Sequence, residues 1–173
     1  MRFNGHYVTH DLTWSEQRYH WGLVVGPKAE SPDSEGRLFR VRERMTVVGG
    51  VPTPAWEFEE RATSMAPTAM VLIRILFGKV ADIKRLESII RSIPMKGMEP
   101  GWNCVIWLKD VMDGLRADGK ALGTSVTDWS SIRDTAVQYV EAKTAQHRFD
   151  GQGQFDRSKV ATWSLLDRKE VIA

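Results

Sequence analysis

The chain has 173 residues, 42% hydrophobic and 27% charged, which suits one globular domain spanning residues 1–173 with a sizeable core. A net charge of +2 is too small to argue for a nucleic-acid or membrane partner. A single cysteine excludes an intramolecular disulfide and speaks against a disulfide-stapled secreted scaffold.

The opening MRFNGHYVTHDLTW lacks the apolar core of a signal peptide. His6 and His10 alternate there in a candidate first strand. Tyr19–Gly26 (YHWGLVVG) is an apolar strand ending at Gly26-Pro27, and PKAESPDSEG after it reads as a hairpin loop. Arg37–Glu43 alternates, with Phe39 and Val41 on one face and Arg40 and Arg42 on the other. Val51–Pro54 reads as a loop, and Trp56–Glu60 as another alternating strand. Met70–Phe77 (MVLIRILF) fits a strand buried on both faces. Arg74 interrupts it, and it is too short to span a bilayer. A cytoplasmic protein without membrane contact is expected.

The second half carries helical spacing. Val80–Ile93 is one helix, stopped by Pro94. Val105, Leu108, Val111, Met112 and Leu115 form the stripe of a second, closed by Asp118-Gly119. Thr127 or Asp128 caps a third, with Ile132, Ala136, Tyr139 and Val140 inward. A polar stretch, HRFDGQGQFDRSK, follows, and Val160–Leu166 forms a last strand or turn. Strands first and helices later predict an α+β fold, a mainly antiparallel sheet packed against about three helices.

Cys104, in GWNCVIWLKDVMDGL, stands where the second helix begins. Backbone N–H groups at a helix N-terminus favour thiolate over thiol and can receive an oxyanion. The competing reading is a small buried hydrophobe. A thiolate nucleophile needs a base. Of His6, His10, His20 and His147, His20 is the best placed, because Gly22 shares its strand face and leaves room for an approaching group. Glu43, Glu57 and Glu59 are candidates to orient its imidazole, although such residues are more often solvated strand-face charges. Asn103 is a cap or a polar contact. Trp21, Trp102 and Trp107 wall a pocket or pack the core. Arg40, Arg42 and Arg44 bind an anion or form a solvated face. No metal-ligand spacing is present, and no cofactor is expected.

The order HWGLVVG, antiparallel strands, then WNCVIWLKDVM resembles a circularly permuted papain-like fold, as in lecithin:retinol acyltransferase-type enzymes and the PPPDE deSUMOylating peptidases. The resemblance covers about residues 19–115 and implies Cys104 as nucleophile and His20 as base. Val105-Ile106 follows Cys104 in place of the acyltransferases' Asn-Cys-Glu-His signature. More loosely, the chain is similar in character to small fungal proteins with YHW-G-LVVGPK and GWNC segments, and to fungal arginine-containing cyclodipeptide synthases. These resemblances imply acyl transfer through a thioester on Cys104, with a small-molecule or aminoacyl substrate, including aminoacyl-tRNA. Asn103, Trp21, Trp102, Glu59, Arg40 and Arg42 are the expected substrate contacts. Water as acceptor would make the protein an amidase or peptidase, and an amine a transferase. The alternative is a non-catalytic binding module with Cys104 in the core.

Overall fold

The computed structural model describes residues 6–15, 18–27, 30–31, 33–68 and 70–173, with side chains described from Tyr19 onward. The fold is α+β. One eight-stranded sheet runs in the order β4-β3-β2-β1-β5-β7-β8, with β6 also paired to β5. The strands are β1 (His6–Ser15), β2 (Arg18–Pro27), β3 (Glu35–Val48), β4 (Val51–Ser64), β5 (Val71–Val80), β6 (Leu122–Ser125), β7 (Ala161–Ser164) and β8 (Lys169–Ile172). The helices are α1 (Ile83–Ser92), α2 (Cys104–Asp118) and α3 (Trp129–Ala145). Every strand pair is antiparallel except β5 with β7. A parallel pair needs a long crossover, and the three helices lie within it.

The β3–β4 hairpin is longer than the spacing suggested. Val51–Pro54 is strand, paired with Met45–Val48. The turn is Gly49-Gly50, with φ of 59° and 82°. Two consecutive positive φ values make a tight hairpin whose twist matches its strands, and only glycine adopts them without penalty. Pro52 and Pro54 are tolerated because β4 is an edge strand with an unpaired side.

Helix boundaries follow their caps. Val80 ends β5, and α1 starts only at Ile83 because the Asp82 carboxylate accepts from the Arg85 N–H at 3.0 Å. Asp128 caps α3 in the same way. Leu86 and Ile90 of α1, the Trp107–Leu115 stripe of α2, and Ile132, Ala136 and Val140 of α3 are buried against one sheet face. That face presents Trp21, Leu23, Val25, Phe39, Val41, Ile73 and Ile75. Each full burial of such a side chain is worth about 1.5–3 kcal/mol before entropy costs. α2 lies across β2 and β3, and α3 across β5. The helix-free face carries a smaller cluster, Val24, Leu38 and Met65. Among the described residues no helix is long and apolar enough to cross a membrane.

Candidate functional site

The residues expected to form one site divide between the two faces of the sheet. Trp21, Trp102, Asn103 and Cys104 gather at the start of α2 on the helix side. The Asn103 side-chain oxygen accepts from the N–H groups of Val105 at 2.9 Å and Ile106 at 3.2 Å, so this residue caps the helix. Trp102 packs edge-on against Trp56 with ring centres 5.2 Å apart, and Trp21 tilts against Trp129 at 5.4 Å. Trp21, Trp102 and Trp107 are all buried in the core.

Cys104 is 5% exposed. Among the described residues the β2–β3 register pairs Leu23–Val25 with Arg37–Phe39 and leaves Trp21 just outside it. There the Trp21 backbone N–H is directed at the Cys104 sulfur. Burial pushes the thiol up, while the N–H groups of Trp21, Cys104 and Val105 pull it down without prevailing. The thiolate expected at a helix N-terminus is therefore not favoured, because desolvation outweighs the dipole.

His20, Arg40, Arg42 and Glu59 gather on the opposite face. Strand alternation places His20 with Gly22 and Val24, away from Trp21, Leu23 and Val25. The room expected beside Gly22 is filled: a Cβ there would lie 3.1 Å from Leu38 Cδ1 and 3.6 Å from Arg40 Cβ. Arg40 Nε donates to Glu59 Oε2 at 2.5 Å, and Arg42 Nη2 donates to Glu57 Oε2 at 3.3 Å. Burial, then the Arg40 charge, pushes the His20 imidazole down to about 4 against the opposing pull of Glu59. It is neutral at pH 7 and a weak base. The imidazole of His20 and the thiol of Cys104, on α2, lie on opposite sides of β2, so the expected dyad is not brought together. Of the other histidines, His147 contacts Asp150 at 2.7 Å in an exposed loop, and the side chains of His6 and His10 lie outside the described residues.

A cavity of about 760 Å³ opens on the helix-free face, over β5, β7 and β8. Its floor includes Arg74, Leu76, Thr162 and Ile172, and Met65 and Val160 help close it. Asp11 pairs with both Gly22 and Arg74, and Arg74 with Thr162, which puts the arginine on the His20 face. Arg74 is only 2% exposed. Its Nη1 donates to the Met65 carbonyl at 3.0 Å and to the Glu30 carboxylate at 3.2 and 3.4 Å. Arg157 and Lys159 stand at the same cavity. Neither Cys104 nor His20 lines it.

The family model DUF6914 matches residues 5–172, nearly the whole chain. The chain belongs to this family of unknown function. No curated protein and no solved structure matches it.

The cavity of this DUF6914 chain was not among the sites expected from its sequence. A signal for it does exist. A charge inside a strand buried on both faces requires a partner, because removing a guanidinium from water costs several kcal/mol. Arg74 in MVLIRILF is that charge. Glu30, in a loop more than 40 positions away, is a partner that no local pattern reveals.

Proposed function

We propose that this DUF6914 protein is a binding module, and that the cavity over β5, β7 and β8 holds a small amphipathic molecule. The observation that carries this reading is the cavity itself: about 760 Å³, walled mostly by apolar side chains, with a buried guanidinium in its floor. Sites for small ligands are usually of this size and make-up, with a few polar groups setting orientation. A neutral dye that brightens in apolar surroundings, N-phenyl-1-naphthylamine, tests it. One saturable site per chain is expected, lost in Ala66→Trp, which puts a large ring into the cavity wall, and kept in Lys109→Trp on the exposed face of α2. Equal binding by both variants refutes the reading.

A second reading keeps Cys104 as the nucleophile of an acyl-transfer enzyme. In its favour are the backbone N–H groups of Trp21 and Cys104, which pull the thiol toward thiolate against its burial. It requires His20, or another base, to reach that sulfur from across β2. An acyl adduct on Cys104, found by intact mass after incubation with charged tRNA or an activated ester, would establish it.

A further inference from the structure

We propose that the ligand of the cavity is a monocarboxylate on an apolar body, and that its carboxylate replaces Glu30 at the Arg74 guanidinium. This rests on the cavity being a binding site, and it adds the chemical class of the ligand.

Among the described residues, the cavity lining carries the cationic side chains Arg74, Arg157 and Lys159 and the carboxylate of Glu30. Asp156, outside the lining, lies 3.6 Å from Lys159 Nζ and takes up part of that charge. Arg74 supplies the fixed contact, because its guanidinium is anchored by the Met65 backbone carbonyl at 3.0 Å. Glu30 supplies the exchangeable one. It belongs to the β2–β3 connection, its side chain is 35% exposed, and its oxygens stand 3.2 and 3.4 Å from Arg74 Nη1. A tight charge-assisted pair sits at about 2.7–2.9 Å. The guanidinium thus already holds a planar, singly charged carboxylate through both oxygens, in a looser geometry than the chemistry allows. An incoming carboxylate makes the same contact. Its apolar body gains the walls formed by Met65, Pro67, Leu76, Val160 and Ile172, which Glu30 cannot use.

Decanoate and decanamide differ at the head group and share the chain. Calorimetric titration of the full chain is expected to show decanoate binding at least tenfold tighter. Arg74→Gln removes this preference by bringing the two affinities together. Glu30→Gln, at a more exposed position, removes the competing charge and tightens decanoate severalfold with little change for decanamide. Equal affinities in the unaltered protein overturn the proposal, as does a preference that survives Arg74→Gln. Should Arg74→Gln fail to fold, Glu30→Gln decides: decanoate affinity that is unchanged or weaker overturns the proposal. Absence of decanoate binding while the neutral dye still binds refutes the carboxylate class alone. Absence of dye binding refutes the cavity reading beneath it.

Discussion

Acidification protonates His20 in the unfolded chain well before it does so in the folded one. The folded imidazole is pushed from 6.5 to about 4, first by burial and then by the Arg40 charge, against Glu59. Between those two values the unfolded state binds the proton and the folded state does not, so stability falls as pH falls through that window. Above it the imidazole is neutral in both states, and below it both states are protonated and the loss levels off. Each pH unit that separates the two midpoints corresponds to about 1.4 kcal/mol, which gives about 3 kcal/mol over the whole window and about 2 kcal/mol between pH 7 and 5. The assay is urea unfolding followed by tryptophan fluorescence at a series of pH values, on the unaltered chain and His20→Gln. Glutamine keeps a polar side chain but cannot titrate. The variant is expected to lose about 2 kcal/mol less than the parent between pH 7 and 5. Two stability curves that stay parallel to within about 0.5 kcal/mol would show that His20 is not held neutral by its neighbours, and the assignment of its face would fall with that result.

Three further outcomes follow from the geometry. Cys104, buried and with its thiol pushed up, is expected to resist iodoacetamide at neutral pH in the folded protein and to react readily in urea, as read by intact mass; rapid labelling of the native chain would favour the nucleophile reading instead. Asn103→Ala should lower unfolding stability by about 1 kcal/mol through loss of the α2 cap, with Asn103→Ser restoring most of it; no loss would mean that the side chain is free for another role. Gly50→Ala should cost about 1–2 kcal/mol locally at the hairpin tip, where φ is 82°, and speed amide exchange at the adjoining ends of β3 and β4 about 5- to 30-fold; unchanged exchange would contradict the turn geometry.

Much of the fold can be read locally, because its signals are local. The alternation of Phe39 and Val41 against Arg40 and Arg42 marks a half-buried strand, and the structure buries the first pair while the arginines meet Glu59 and Glu57 on the other face. The stripe from Leu108 to Leu115, Asp118-Gly119 and the Asp128 cap also place their helices from spacing and hydrogen-bonding chemistry alone. The four-residue strands β6 and β8 escaped such reading, because so short a segment owes its conformation to the strand it pairs with.

The candidate residues are another matter. Sequence by itself determined that Cys104 opens a helix and that His20 lies on a strand with Arg40 and Glu59 downstream. Only the tertiary structure decided that α2 packs on the Trp21 face while His20 turns to the Arg40 face, because side chains one position apart on a strand point to opposite sides. Only the tertiary structure, too, brings Glu30 to Arg74 and leaves a cavity above them. A buried charge announces in the sequence that it needs a partner, but the choice of partner depends on which loop the folded sheet carries past it.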